Sequence, residues 1–312
     1  MNNLSSQTNE IDESAAEVFA ASKQESFIST WVTCLACIIC IGIFLGLATT
    51  TSSNSWDTLS QFGYLPADAI WKGGYWALIT SAFVHLELWH VAFNVYWLWV
   101  LGSRLERSIG SLPFLGFVLI SAFVSSSYQL ATSDSTGIGA SGVVYALFGL
   151  MWPTRHRFTL FREVLDSRTV QIFIIWLVGC IAATYLKVLE VGNAAHISGL
   201  LFGCAVAGAF FLQFNPKLFL LGLVSIIAFS IIPLFWCPWS VTWLSQKAYQ
   251  AHASKQYDDA IERYNQIIRL DPRNAWAFQN RSYAYRALGQ DEKASADWDM
   301  AREINPSIEK AK

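Results

Sequence analysis

Apolar residues gather into long runs separated by short polar breaks from about residue 31 to residue 236, after which the pattern changes to mixed polar and apolar positions. The runs Trp31 to Leu47, Leu88 to Leu101, Pro113 to Leu130, Val170 to Leu186, Ala194 to Phe211 and Leu218 to Trp236 are read as membrane-crossing helices, which take about 20 apolar residues. A seventh run, Ala140 to Trp152, is short. Between Val170 and Trp236 the only charged residues are Lys187, Glu190 and Lys217, and they fall at breaks between runs. The polar, acidic leader of residues 1–29 reads as disordered rather than as a cleavable signal, with the first apolar run following it as an anchor.

Basic residues in the breaks set an orientation. With the N-terminus inside, Lys23, Arg104, Arg107, Arg155, Arg157, Arg162, Arg168 and Lys217 lie inside, and only Lys72 and Lys187 lie outside. Seven crossings then put the residues after Trp236 outside. Composition sharpens this picture. Of 312 residues 54% are hydrophobic and 14% charged, against about 25% charged in a soluble domain, which argues against a cytosolic globule. Residues 241–312 hold 21 of the 44 charged positions, so two unlike parts share the chain. A net charge of −2 without a basic patch argues against nucleic-acid binding. The six cysteines lie in or at the ends of apolar runs and read as packed thiols, not as a disulfide framework. The reading calls for no metal and no cofactor.

The short run carries the candidate chemistry. About 14 helical residues at 1.5 Å each cover some two-thirds of a ~30 Å hydrocarbon core. With Trp152-Pro153 at the inner interface, the polar segment Thr132 to Gly137 must dip inward to meet the helix start, which lipid tolerates only inside protein or beside water. A water-containing cavity open to the outside is therefore expected, with Ser141 at its floor in Gly139-Ala140-Ser141-Gly142. His196 starts another run in the same direction and so at similar depth. Small residues recur at helical spacing on both runs, as Gly142, Ala146, Gly149 and as Gly199, Gly203, which permits close approach. A serine becomes a nucleophile beside a base, and histidine is the usual one. No acidic residue lies at that depth, so the pattern suggests a dyad. His90 and Asn94 share one helix face at the outer end of the second run, where donors would suit an oxyanion, while His85 reads as structural, bonding the outer loop. Alone, a membrane serine ordinarily bonds back to its own helix and a histidine ties helices together. Their coincidence in depth and side favours chemistry.

These residues resemble the rhomboid family of intramembrane serine proteases, on His85-x4-His90-x3-Asn94, on Gly139-Ala140-Ser141-Gly142-Val143-Val144-Tyr145-Ala146 and on Ala195-His196-x2-Gly199-x3-Gly203, over roughly residues 30 to 215. The resemblance implies Ser141 as nucleophile, His196 as general base, an oxyanion hole of His90, Asn94 and the Ser141 N–H, and Tyr145 packed on the His196 ring, with Gly139 and Gly199 supporting. Gly102 to Glu106 and Gly110-Ser111 resemble the family's turn after its second helix. Where the family commonly has Trp-Arg in the first outer loop, this chain has Trp76-Ala77.

Residues 255–272 realign with 289–306 at an offset of 34, pairing Ala260 with Ala294, Tyr264 with Trp298 and Pro272 with Pro306. This period resembles tetratricopeptide repeats, which bind peptides or proteins. A helix over Ser240 to Ala253 would complete the first repeat, Ala275 to Leu288 would open the second, and so short an array would lean on the membrane domain or self-associate. The expected fold is all-α: leader 1–29, a rhomboid-like six-helix core 30–215, a seventh transmembrane helix 216–239 and a repeat domain 240–312. The expected function is a protease acting on transmembrane protein substrates, with the tail binding a protein partner, in a bacterial inner membrane with a cytoplasmic N-terminus and an extracytoplasmic tail. The alternative is a catalytically silent scaffold of the same fold. A transporter lacks paired acidic residues or broken inverted repeats.

Overall fold

The computed structural model describes residues 30–212 and 214–308, so the acidic leader lies outside the described residues. Every regular element among them is helical. Helix α1 (Trp31–Ala48) is apolar on all sides, as a helix between lipid and core must be. No side chain at its own N-cap satisfies its first N–H groups. A distant one does: Glu106, fully buried, accepts from Val32 N at 3.0 Å, Thr33 N at 2.9 Å, Thr33 Oγ1 at 2.7 Å and Ser111 Oγ at 2.6 Å. One carboxyl group thus closes the start of α1 against the turn after the second span. Glu106→Ala strands these donors in the core and is expected to cost about 3 kcal/mol, with Glu106→Gln costing less, since buried bonds to a carboxylate contribute roughly 1.5–3 kcal/mol. Thermal exposure of the buried thiols Cys37 and Cys40 on α1 to a thiol-reactive dye measures it.

The first outer loop folds into α2 (Trp56–Gln61), α3 (Ala67–Trp71), α4 (Ala77–Thr80) and a 3₁₀ turn (Ser81–Phe83). Ala77, where the family commonly has arginine, is fully buried. The chain then bends by 100° into the second span, which runs over Leu88–Ile109 as α5 (Leu88–Trp97), a π turn (Leu98–Gly102) and α6 (Ser103–Ile109). It is longer than the apolar run suggested, because Glu106 gives the polar turn a buried place. Helix α7 (Ser111–Ser133) is followed by the short α8 (Ser141–Thr154), α9 (Thr159–Val164), α10 (Ser167–Tyr185), α11 (Asn193–Phe210) and α12 (Pro216–Phe235). Five of these helices, α1, α7, α10, α11 and α12, are long and apolar enough to cross a membrane, and a sixth span is reached if the bent pair counts as one. The chain is an integral, multi-pass membrane protein.

Helices α8 and α11 lie unusually close. A Cβ on Gly199 would overlap the Gly142 carbonyl, one on Gly203 the Ala146 carbonyl and one on Gly149 the Leu200 carbonyl, so backbone meets backbone along the whole seam. Helix α12 leaves the far end of α11 and returns to the side of the first outer loop, where Pro233 O accepts from Trp71 Nε1 at 2.9 Å. It therefore spans the full height of the core.

The tail continues as α13 (Val241–Ala253), α14 (Tyr257–Leu270), α15 (Ala275–Ala287) and α16 (Asp291–Ile304). The residues paired by the 34-residue offset take equivalent buried places, Ala260 with Ala294 and Tyr264 with Trp298. Arg281 on α15 grips Asp297 on α16 through two bonds, 2.7 and 2.6 Å, and Asn265 on α14 at 2.5 Å. Asp297→Ala leaves that largely buried guanidinium unpaired and is expected to destabilise the repeats by about 3 kcal/mol, read as faster amide exchange over α15 and α16. Of the two expectations for so short an array, it leans on the membrane domain. Trp243, Leu244 and Ala248 of α13 share one buried cluster with Ala67, Ile70, Trp71, Ala77 and Leu78 of the outer loop.

Candidate active site

The loop from Asp134 to Ala140 delivers Ser141 as the first residue of α8, where backbone N–H groups have no intrahelical acceptor. Helix α11 carries His196 within its first turn, and because the α8–α11 seam has no side chains to hold it open, His196 Nε2 comes within 2.8 Å of Ser141 Oγ. His196 is buried and its Nδ1 has no hydrogen-bond partner among the described residues, while Ser141 is half-buried. The Tyr145 ring lies against the imidazole with centroids 4.8 Å apart, and its hydroxyl donates to Phe173 O at 3.1 Å. The ring is thereby fixed by packing where a carboxylate would otherwise orient it. A proton on Nδ1 leaves Nε2 free to accept from the serine.

His90 and Asn94 lie on the same side. Gly139 holds φ +96°, and a Cβ there would stand 2.6 Å from His90 Cε1 and 3.2 Å from Asn94 Nδ2. Glycine at this position lets both side chains approach the backbone two residues before Ser141. Gly139 N donates to Ser81 O at 3.1 Å. His85 does more than bond the outer loop. Its Nδ1 pairs with Phe83 O at 3.1 Å, and its Nε2 meets both Asn94 Nδ2 at 3.2 Å and Ala140 N at 3.3 Å. One neutral ring with its proton on Nδ1 satisfies all three contacts. It ties the asparagine to the residue preceding Ser141.

A cavity of ≈ 280 Å³ opens beside Trp56, Tyr64, Asp134, Ser135 and Thr242, next to the loop that precedes the serine. Sequence reasoning passed over the polar face of α7. Ser125 packs on Gly142, and Gln129 Oε1 accepts from Ala195 N at 3.1 Å, at the start of α11. The signal was present, since Ser121, Ser125 and Gln129 recur every four residues in an otherwise apolar helix.

A multi-pass helical membrane protein with a serine and a histidine paired between two of its core helices defines the class. Residues 72–214 match the family model of the rhomboid domain, and residues 249–289 match that of the TPR repeat. The chain carries a rhomboid domain followed by a tetratricopeptide region.

Proposed function

We propose that this protein is an intramembrane serine protease that hydrolyses peptide bonds in or near the transmembrane segments of other membrane proteins. The observation that carries the reading is the 2.8 Å contact between His196 Nε2 and Ser141 Oγ. Ser141 Oγ attacks the substrate carbonyl carbon while His196 Nε2 takes its proton. His90, Asn94 and the Ser141 N–H hold the oxyanion, and preorganised donors of this kind contribute about 10²–10³ in rate each. The imidazolium then protonates the departing amine, and water, activated by the same nitrogen, releases the acyl group from Ser141. Gly139, Gly199 and Tyr145 support the geometry without touching the reacting atoms.

The eight-to-two bias of basic residues favours a cytoplasmic N-terminus, with the Ser141 end of the core and the repeat tail on the extracytoplasmic side, in keeping with a bacterial inner membrane. The repeats are the natural place for a protein partner to bind. The test is cleavage of single-span reporter helices, with small helix-breaking residues near one end, co-reconstituted with the full chain in vesicles. Wild type is expected to cut near that end and Ser141→Ala to leave the reporters whole. Equal cutting by both would remove Ser141 from the reaction, and reporters left whole by both would favour the scaffold.

A further inference from the structure

The tail's first helix touches the loop that delivers Ser141. Asp134, the residue closing α7, sits in the left-handed region at φ 52° and begins that loop. Its Oδ2 accepts the Thr242 N–H at 3.2 Å. Thr242 is the second residue of α13, and the next N–H, that of Trp243, is taken by the helix's own cap, Ser240 Oγ, at 2.9 Å. The membrane domain therefore supplies half of the cap of the first tail helix, with a carboxyl group at the positive end of that helix. A second bond beside it, Trp239 Nε1 to Ala131 O at 2.7 Å, ties the tail linker to the last turn of α7. The cavity of ≈ 280 Å³ adjoins this point, lined in part by Tyr64, Asp134, Ser135 and Thr242, so the loop has space to shift once the bond is broken. Farther along, the loop is held by Tyr64 OH to Ser135 Oγ at 2.8 Å and by Ala140 N to His85.

We propose that Asp134 is a positioning residue through which the docked tail holds the 134–140 loop and so sets the reactivity of Ser141. The tail is then a working part of the site, and a partner that pulls α13 from its seat slows the serine. This rests on the protease reading of Ser141. The test uses the full chain in detergent and a fluorophosphonate probe, whose rate of reaction with Ser141 needs no known substrate. Asp134→Gly keeps the left-handed backbone and removes the acceptor, whereas Asp134→Asn keeps both. A cap bond contributes about 1 kcal/mol, so Asp134→Gly is expected to label about fivefold more slowly, with faster amide exchange over residues 135–140, and Asp134→Asn to label within about twofold of wild type. Wild-type labelling by Asp134→Gly overturns the proposal and leaves the protease reading intact. Equal slowing in both variants also overturns it, by assigning the effect to the lost charge. A wild-type protein whose Ser141 does not label at all fails the protease reading first, and this proposal with it.

Discussion

His196→Ala is expected to slow the reaction of Ser141 with a fluorophosphonate by about 10³-fold, because general-base assistance contributes roughly 10²–10⁴ and the imidazole is the base hydrogen-bonded to the hydroxyl. The imidazole is the group in contact with Ser141 Oγ, and Tyr145, packed on that imidazole, has its hydroxyl committed to Phe173 O. The substitution removes a side chain held by packing, not one that ties helices by hydrogen bonds, since among the described residues its ring bonds to the serine alone. The fold is therefore expected to survive, and an unchanged melting profile of the detergent-solubilised variant would separate lost chemistry from lost structure. His196→Ala labelling as fast as wild type would remove the base from the mechanism.

The second large effect is on assembly. Gly199→Ala places a methyl group on the Gly142 carbonyl, a backbone atom that no rotamer change can move aside. Helices α8 and α11 must separate, at an overpacking cost of about 1–3 kcal/mol or more. The separation also opens the Ser141–His196 contact, and a misplacement near 1 Å costs about 10² in rate. Both losses should appear together, as a lower melting temperature and slower labelling. Gly179→Ala on α10 is the matched control, because a Cβ there meets nothing within 4 Å. It is expected to leave labelling unchanged. Equal tolerance at both positions would mean that the seam is not what brings serine and histidine together.

The contrast between these two glycines shows what was readable in the chain. Gly142, Ala146 and Gly149 against Gly199 and Gly203 announce a close seam, and a seam between two runs that start at one depth brings Ser141 near His196. Lipid enforces this legibility, because unpaired backbone cannot lie in hydrocarbon and helices must be apolar along their length. The 34-residue offset is equally open, since Ala260 and Ala294 answer to the same packing demand. Long-range polar closure was not readable. Glu106 reaches back 73 and 74 residues to cap α1, and Asp134 reaches forward 108 residues to Thr242. Neither bond leaves a local pattern, because each joins an orphan group to whatever the fold brings beside it. His85 was legible as structural but not as the link between Asn94 and Ala140, which depends on the 100° corner before α5. The second span was cut short at Leu101 for a similar reason. The π turn carries the helix past Gly102 into residues whose charge argued against continuation.

The measurement that tests the central claim most directly is the intact mass and peptide map of the purified full chain after exposure to a fluorophosphonate. The account predicts a single adduct, carried by the peptide that contains Ser141, and no adduct in Ser141→Ala. A protein that stays unmodified under conditions that label an active rhomboid protease, or that carries its adduct on a different serine, would contradict it.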